Sequence, residues 1–369
     1  MPGLFSPIEL RQLTLDNRIV VSPMCQYSAA DGSATDWHLM HLGQFAISGC
    51  GLVIIEATHV EARGRITHGC LGLYSDENEA ALKRVVEFCQ QNGFAKIGMQ
   101  LSHSGRKGSA KRPWEGRGQP LQDNEAAWQT VSCSGIPYSD DWPAPAALDL
   151  AGIEDVKQAH VDAAIRADRI GIDLLELHAA HGYLLHEFLS PLTNKRTDRY
   201  GGSQKNRRRF VVEIFESVRK VWPAEKPLGI RISATDWVDG GWTIEESAAL
   251  CSELKRLGCD YVTVSSGGLS GAQKIAISEG HQVGFATHIR TETDLPVMAV
   301  GMINRPEHAD QIIASGESDM IAIARGMLFD PHWTWRAAVA LDAEIRTPPQ
   351  YIRAHNSKWL RSQVTKQEV

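Results

Sequence analysis

The stretch IDLLELHAAHGYLLHEFLSPLTNKRTDRYGGS, residues 172–203, is the part of the chain around which the rest can be interpreted. An apolar run from Ile172 to Leu177 stops at His178, and His181 and Tyr183 follow directly. Several polar side chains therefore meet where a buried strand is expected to end. Barrels of parallel strands have their active sites at such strand ends.

The spacing of His178, His181 and Tyr183 suits the polarisation and protonation of a substrate. Two neutral imidazoles three residues apart can each direct an N–H at one oxygen of a carbonyl or nitro group, and a nearby phenol can donate a proton to the adjacent atom. A His-x-x-His pair is also a metal-ligand spacing, but no Cys, third His or carboxylate is clearly placed to complete such a site. A purely structural pair is the remaining alternative.

Composition and charge restrict the class of protein. An apolar fraction of 43% is ordinary for a globular protein with a core. The net charge of −6 and a pI near 6.2 argue against a nucleic-acid or anionic-membrane partner. No segment approaches the roughly 18 apolar residues that a membrane span needs.

The N-terminus and the cysteines indicate a cytoplasmic protein. The first residues, MPGLFSPIEL, lack the basic and apolar regions of a signal peptide. The seven cysteines are scattered without a Cys-x-x-Cys pair, which suits reduced thiols and gives no zinc or iron–sulfur motif.

Short apolar runs alternate with helical patterns along the whole chain, and this repeat predicts the fold class. The runs are Ile19–Ser22, Leu52–Ala57, Lys96–Leu101, Ile172–Leu177, Leu228–Ile232, Tyr261–Ser265, Pro296–Val300 and Met320–Ala324. Eight such units in tandem favour a single-domain (β/α)8 TIM barrel over residues 1–369. An open dinucleotide-binding sheet would want Gly-x-Gly-x-x-Gly after an early strand, and the chain has none.

Two segments lie outside the repeat. Residues 1–18 are expected to contain a short hairpin, turning at Asp16-Asn17, that plugs one end of the barrel. Residues 102–149, the lid segment, are rich in Pro, Gly and Trp with little periodicity and follow the third strand. Loops of this length are usually functional, so a lid over the catalytic mouth is expected.

The residues that follow the other strands suggest a phosphorylated ligand. Gly301 and Ala324-Arg325 follow the seventh and eighth runs, where barrels commonly bind phosphate through backbone N–H groups. Arg231 lies inside an apolar run and needs an anionic partner, and Gln100 can pair with an amide-like ring edge. Together they suggest flavin mononucleotide, although spacing alone does not separate it from other phosphorylated ligands.

At these residues the chain resembles the Old Yellow Enzyme family, in its bacterial branch of xenobiotic reductases and thermophilic-like ene-reductases. The segments that resemble it include LTLDNRIVVSPMCQYSA, GMQLSHSGRK, ELHAAHGYLLHEFLSPLTNKRTDRYGGS and ARGMLFDPHW. The resemblance implies a TIM barrel with bound FMN that takes electrons from NADPH or NADH. It then reduces an α,β-unsaturated carbonyl or related electron-poor compound.

The resemblance also implies a role for each site residue. His178 and His181 would bind the activating oxygen, Tyr183 would donate the proton, Cys25 would tune the flavin and Tyr27 would line the substrate side. The other implied cofactor contacts are Pro23, Met24, Ala57, Gln100 and Arg231 for the ring and Gly301, Ala324 and Arg325 for the phosphate. Relatives often have Gly at the position of Ala324.

The C-terminal tail, residues 345–369, resembles a segment that in this branch enters a neighbouring subunit's active site. Arg353 would then act in trans, with Trp359 or Arg361 as the alternative, and the protein would be a homodimer or homotetramer. An exposed tail without this role is the other interpretation. Two other functions stay open, a metal-dependent barrel hydrolase using His178 and His181 and an FMN-binding sensor without turnover.

Overall fold

The computed structural model describes residues 3–354 of the chain. In that range the strands are β1 (Ile8–Leu10), β2 (Leu13–Leu15), β3 (Ile19–Val21), β4 (Leu52–His59), β5 (Lys96–Ser102), β6 (Val131–Ser132), β7 (Ala146–Ala147), β8 (Leu174–Ala179), β9 (Leu228–Ser233), β10 (Tyr261–Ser265), β11 (Val297–Ala299) and β12 (Met320–Ile323).

The α-helices in the same range are α1 (Asp36–Ala46), α2 (Asp76–Asn92), α3 (Pro113–Gly116), α4 (Leu150–Arg169), α5 (Leu184–Leu189), α6 (Gln204–Val221), α7 (Ile244–Arg256), α8 (Val283–Thr293), α9 (Pro306–Ala314), α10 (Arg325–Phe329) and α11 (Trp333–Ala340). One-turn 3-10 helices occur at Ala62–Gly64, Gly105–Lys107, Asp123–Glu125 and Pro349–Tyr351.

Eight parallel strands of the described range close into a barrel in the order β3-β4-β5-β8-β9-β10-β11-β12, with β12 paired to β3 and β9 to β10. These are the eight apolar runs of the sequence, each displaced by at most two residues at either end. The predicted TIM barrel is confirmed. The strands are buried on both faces because helices cover the outside and side chains fill the inside.

The N-terminal hairpin consists of β1 and β2, but its turn differs from the prediction. The strands pair antiparallel with Leu10 opposite Leu13, so the chain reverses at Arg11-Gln12, and Arg11 adopts a left-handed φ of 52°. Asn17 instead stabilises the start of β3, because its side-chain amide donates to the carbonyl of Gly49 at 2.8 Å and its side-chain oxygen accepts the N–H of Ile19 at 3.2 Å. Asp16-Asn17 therefore lies after the hairpin.

Helix ends follow local capping chemistry. Helix α7 begins with a capping box, in which Glu246 N donates to Thr243 Oγ1 at 3.3 Å and Thr243 N donates to Glu246 Oε2 at 3.2 Å. Helix α4 begins at Leu150. The reason is Asp149, whose carboxylate accepts the N–H of Gly152 at 2.7 Å and caps the helix.

The barrel interior is apolar at one end and polar at the other. Hairpin residues Leu10 and Leu15 pack with Leu52, Leu174 and Met320 in one buried cluster, which closes the N-terminal end of the barrel. The polar side chains lie nearer the carboxyl ends of the strands, so any site must open there. Within residues 3–354, none of the helices combines the length and apolar character needed to cross a membrane.

Candidate active site

Three aromatic side chains cluster at the carboxyl end of β8. His178 is the second-last residue of β8, and its ring lies 5.2 Å from that of His181 and 5.0 Å from that of Tyr183, centroid to centroid. Both contacts are edge-on, with interplanar angles of 88° and 87°. The structure thus brings together the three residues that the sequence singled out.

The electrostatic environment keeps all three groups neutral. Burial and the nearby Arg231 guanidinium hold the pKa of His178 and of His181 well below the usual value. Burial, with smaller contributions from Cys25 and Tyr27, raises the pKa of Tyr183 well above its usual value. At neutral pH the imidazoles can donate hydrogen bonds, and the phenol retains its proton.

The turn after β8 is held in an unusual backbone conformation. His181 and Gly182 both have left-handed φ values, 60° and 74°, and a Cβ on Gly182 would meet the Gly268 carbonyl oxygen at 2.5 Å. His181 N donates to Ser233 Oγ at 2.9 Å and Gly182 N donates to His186 Nδ1 at 3.0 Å.

His186 is itself fixed from the other side. Its Nε2 lies 2.9 Å from Asp236 Oδ1, and both side chains are fully buried. The buried pair therefore orients the imidazole that holds the N–H of Gly182. The position of His181 depends on this support from outside the cluster.

Cys25 and Tyr27 lie on the loop after β3, beside a bulge in β4. The register between β4 and β5 shifts between Ile55 and Thr58, and the N–H of Ala57 in this bulge bonds Cys25. Burial and the charge of Glu56 raise the pKa of Cys25 well above its usual value, so Cys25 is a neutral thiol. Pro23 and Met24 precede it on the same loop, and Tyr27 lies edge-on to Trp114 at 6.0 Å.

A polar row crosses the barrel interior beneath the cluster. Gln100 Nε2 donates to Glu176 Oε1 at 2.7 Å, and Thr263 Oγ1 donates to the other Glu176 oxygen. Arg231 pairs with His178 in the β8–β9 register, and its Nε is buried without a hydrogen-bond partner among the described residues. Burial lowers the pKa of Arg231 and raises that of Glu176.

These groups fit the polar edge of a flavin ring. An unpaired guanidinium N–H is costly in a buried position unless an anionic or electron-rich ligand completes it. The Gln100 amide gives its N–H to Glu176, which leaves its oxygen to accept from a ring N–H. Reduced flavin is anionic at this edge, so a cation and an acceptor side by side match it.

A cavity of about 1150 Å³ opens at the carboxyl ends of β11 and β12. Gly301, Ala324 and Arg325 all line it, as the phosphate-site prediction requires. Gly301 has a φ of 125°, and a Cβ there would meet Gln282 Nε2 at 2.7 Å. Ala324 is the N-cap of α10 and Arg325 is exposed in its first turn.

Gln282 joins this cavity to the histidine cluster. It lines the cavity, and its Oε1 accepts from Ser265 Oγ at 3.4 Å. Ser265 Oγ lies 2.8 Å from His181 Nε2. One ligand extending from the cavity to the cluster would therefore span the predicted phosphate residues at one end and His181 at the other.

The lid segment lies over the carboxyl end of the barrel. Arg106 Nη2 donates to the Leu269 carbonyl after β10, and Trp142 packs in the same apolar cluster as Cys25, Tyr27 and Tyr183. Its short strands β6 and β7 pair with each other. The segment therefore forms one wall of the site.

Other predicted site features are not joined to the cluster. Arg353 is exposed after the last 3-10 helix, and within residues 3–354 no hydrogen bond or ion pair connects it to the site. Trp359 and Arg361 lie outside the described residues. Among the described residues no group of three or more His, Cys, Asp and Glu side chains could hold a metal ion.

Sequence reasoning missed two side chains at this site. Glu176 was visible as the one charged residue in the apolar run LLELHA. Glu56, whose Oε2 accepts the N–H of Gln26 at 3.0 Å, was equally visible in LVIIEATH. Lys107 ends the segment GMQLSHSGRK, where the sequence fits a contact with flavin or substrate and a solvated charge equally well. In the structure its ammonium bonds the carbonyl of His181 at 2.9 Å.

Comparisons with known proteins place the chain in one family. Residues 3–344 match the NADH:flavin oxidoreductase / NADH oxidase family. An NADPH dehydrogenase of Geobacillus thermodenitrificans (strain NG80-2) is 41% identical over 352 residues, which are 95% of this chain and 98% of that protein.

Two solved structures are also similar to the chain. Morphinone reductase has a TM-score of 0.77 and 28% identity, covering 95% of this chain and 92% of that chain. A 2-naphthoyl-CoA reductase complex has a TM-score of 0.82 and 25% identity over 92% of this chain, but the chain spans only 52% of that larger protein. The chain belongs to the NADH:flavin oxidoreductase / NADH oxidase family and is an FMN-dependent NAD(P)H oxidoreductase of the Old Yellow Enzyme type.

Proposed function

We propose that the protein is an ene-reductase that reduces the activated C=C bond of α,β-unsaturated carbonyl or nitro compounds. The main support is the buried cluster of two neutral imidazoles and one protonated phenol at the carboxyl end of β8. Such a set can bind an oxygen that gains negative charge and then protonate the neighbouring carbon.

His178 is the proposed principal donor to the substrate oxygen. Its Nδ1 accepts the N–H of Ala180 at 3.3 Å, so the proton of the neutral ring belongs on Nε2, where it can be donated. His181 is the second donor, because Ser265 engages its Nε2 and leaves Nδ1 for a ligand. Two donors at one oxygen stabilise the enolate or nitronate that forms when hydride adds to the β-carbon.

Tyr183 is the proposed proton donor to the α-carbon. Its raised pKa keeps the phenol protonated until the developing carbanion accepts the proton. FMN, when bound, supplies the hydride, after NADPH or NADH has reduced it and left the site. The nicotinamide and the alkene thus bind one after the other at the same site at the carboxyl end of the barrel. This order of binding is a ping-pong mechanism.

The proposed cofactor contacts follow the polar row and the cavity. Pro23, Met24 and Ala57 border the ring, Gln100 pairs with its amide edge, and Arg231 stabilises negative charge on it. Cys25 contacts the ring as a neutral thiol and tunes its potential, and Tyr27 lines the substrate side. Gly301, Ala324 and Arg325 hold the phosphate at the far end of the cavity.

The proposed assembly is a homodimer or homotetramer in which Arg353 reaches a neighbouring subunit's site. Apolar side chains exposed near the C-terminus of the described range support association. Phe329 is 92% exposed and Ile352 is 70% exposed. Exposed aromatic and aliphatic groups of this size are typical of protein interfaces.

The function is tested by following the two half-reactions separately. Purified protein should absorb in the visible as bound FMN, lose that absorption on anaerobic addition of NADPH and regain it when cyclohexenone is added. A colourless protein that takes up no FMN, or a reduced protein that no alkene reoxidises, would contradict the proposal. The second outcome is the one expected for a flavin-binding sensor.

Substitutions then test the roles at the β8 end. Tyr183→Phe should slow reoxidation by cyclohexenone about 10²-fold or more, the usual range for a lost general acid, with reduction by NADPH nearly unchanged. His178→Ala should slow the same step by roughly 10²–10³-fold, as for loss of one oxyanion donor. Equal slowing of both half-reactions by Tyr183→Phe would exclude its role as proton donor.

A further inference from the structure

Lys107 joins the lid segment to two loops of the barrel mouth. Its Nζ donates to the carbonyl of His181 and to the carbonyl of Gly268, each at 2.9 Å. The same ammonium lies 5.3 Å from the ring centroid of Tyr183 and 4.8 Å from that of Tyr138. A lysine has three N–H donors, so two are used by carbonyls and the third faces aromatic rings.

The charge of Lys107 is not neutralised by an ion pair. No carboxylate of the described residues lies within ion-pair distance of its Nζ. Glu187 is the acidic group whose charge raises the pKa of Lys107. Its carboxylate, however, accepts the N–H of Arg106 at 2.9 Å and the hydroxyl of Ser132 at 2.5 Å. A net positive charge is therefore held under the ring of the proposed proton donor.

We propose that Lys107 is a positioning residue that stabilises the phenolate of Tyr183 during proton transfer to the substrate. The inference rests on the proposed function, in which Tyr183 is the proton donor. A cation near an aromatic ring interacts more strongly when the ring becomes anionic, because a full charge is added to the attraction for the ring electrons. The same ammonium is held in place beneath the ring by the carbonyls of His181 and Gly268.

The proton that reaches the α-carbon comes from the phenol of Tyr183. Hydride addition at the β-carbon, driven by the established oxidoreductase activity, leaves an electron pair at the α-carbon. The Tyr183 O–H bond breaks, the new C–H bond forms at the α-carbon, and the phenolate remains until solvent returns a proton. Lys107 keeps its own proton and lowers the energy of the phenolate.

The protonation of Lys107 depends on several surrounding groups. Burial lowers the pKa of Lys107 to about 8, with Glu187 acting to raise it and Arg106 to lower it. His178 and His181 are neutral at this pH and add no charge, since their own pKa values are lowered. The other groups that face the ammonium are the phenols of Tyr138 and Tyr183. The charge under Tyr183 should thus be lost on moderate alkalinisation.

The test uses the FMN-loaded enzyme with Lys107→Met and Lys107→Gln. Met removes the charge and the donors, and Gln keeps N–H donors without charge. Both should slow reoxidation by cyclohexenone by roughly 10- to 30-fold, the factor expected for a desolvated cation–π contact. Reduction by NADPH should change less than about twofold, since no proton leaves Tyr183 in that half. A Gln variant with the wild-type rate would overturn the electrostatic role.

The pH profile separates this role from a merely structural one. In the wild type, the rate of reoxidation should fall on the alkaline side with an apparent pKa near 8. This alkaline decrease should be absent in Lys107→Met, whose reoxidation rate should be low and independent of pH. The same alkaline decrease in the Lys107→Met variant would overturn the proposed role of Lys107.

A double variant separates failure of this inference from failure of the proposed function. In a Tyr183→Phe background, Lys107→Met should change reoxidation less than about twofold, because the phenolate it stabilises no longer forms. Full, additive losses would overturn the Lys107 inference and leave Tyr183 as proton donor. A Tyr183→Phe enzyme with normal reoxidation would overturn both.

Lys226→Met is the control for replacing a lysine outside the site, although Lys226 differs from Lys107 in forming an ion pair with Asp168 at 2.7 Å. Lys226 also donates to a carbonyl, that of Ile172 at 2.9 Å, and lies 5.1 Å from an aromatic centroid, that of Trp222. It precedes β9 and so lies at the opposite end of the barrel from the site. The Lys226→Met variant should show the same rates in both half-reactions and the same pH profile as the wild type. A loss of reoxidation equal to that of Lys107→Met would show a nonspecific effect and overturn the inference.

Discussion

Arg231 and Arg207 are both buried, but within residues 3–354 only Arg207 forms an ion pair. Arg207 donates to the carbonyls of Leu189 and Gly202 at 2.8 and 2.7 Å and forms an ion pair with Glu246. Arg231 has no ion pair among the described residues, and its Nε is unpaired. A guanidinium left unpaired in a packed interior indicates that its partner is a ligand.

Replacing Arg231 by Met should therefore change the flavin more than the fold. The variant should bind FMN more weakly, and its two-electron reduction potential should become more negative by roughly 30–60 mV, equivalent to a 10- to 100-fold loss of stabilisation of the reduced ring. Reductive titration against a reference dye measures this shift.

Arg207→Met is the matched control for that experiment. It should lower the free energy of unfolding by about 3–5 kcal/mol, because Glu246 loses its buried partner, and leave the potential unchanged. A potential unchanged in Arg231→Met, with FMN still bound, would show that the guanidinium does not face the ring.

Residues close in sequence were predicted better than those joined only by the fold. His178, His181 and Tyr183 share one strand end and turn, so their meeting followed from spacing alone. Lys107 bonds carbonyls 74 and 161 residues away. No local pattern encodes such contacts, and a lysine on a polar segment resembles any solvated charge.

At the scale of elements, hydrophobic periodicity predicted the barrel strands but not the position of the turn in the N-terminal hairpin. Each barrel strand is a largely apolar run because it is buried on both faces. The hairpin turn was misplaced because Asp16-Asn17 has stronger turn propensity than Arg11-Gln12, whereas the register is fixed by Leu10 and Leu15 packing under the barrel. Tertiary burial outweighed local turn preference there.

Helix α4 offers a test of how a buried histidine limits stability in acid. His160 is fully buried, its Nδ1 lies 2.8 Å from the Val156 carbonyl, and its Nε2 has no partner among the described residues. Burial lowers the pKa of His160 to about 4. Below pH 6.5 His160 is therefore protonated in the unfolded chain but not in the folded chain. The free energy of unfolding falls as the pH drops towards 4.

His160→Leu should remove this acid sensitivity. Relative to wild type, the variant should gain about 2 kcal/mol in the free energy of unfolding between pH 7 and pH 5, since the unfolded histidine with pKa near 6.5 is absent. Urea unfolding at the two pH values measures the gain. His288→Leu, on the more exposed surface of α8, is the control for replacing a helical histidine. An equal difference from wild type at both pH values would exclude the linkage.

At the scale of the whole molecule, the barrel places its chemistry at one end and its apolar plug at the other. The hairpin fills the N-terminal end, and the lid segment, the β8 turn and the cavity lined by Gly301 and Arg325 surround the opposite end. The C-terminal part of the described chain leaves Phe329, Tyr351 and Ile352 exposed. A second copy of the chain is the simplest partner for such a surface.

A mixing experiment tests whether Arg353 acts in a neighbouring subunit. Arg353→Ala and Tyr183→Phe should each impair cyclohexenone reoxidation as homo-oligomers. If Arg353 acts in trans, a mixed dimer has one site in which both residues are replaced and one site in which both are intact. Unfolding and refolding the two variants together should therefore recover about one quarter of wild-type activity, since half the protein forms mixed dimers with one intact site each.

If Arg353 has no role, Arg353→Ala alone should keep wild-type activity. The mixture gives a different result from action in trans if Arg353 acts within its own chain. Every site of a mixed dimer then contains one replacement, and no activity returns. Sedimentation velocity should show a dimer or tetramer for both variants, so that loss of assembly is not mistaken for loss of the residue. A monomeric wild-type protein with full activity would exclude action in trans, because no neighbouring site would exist for the arginine to reach.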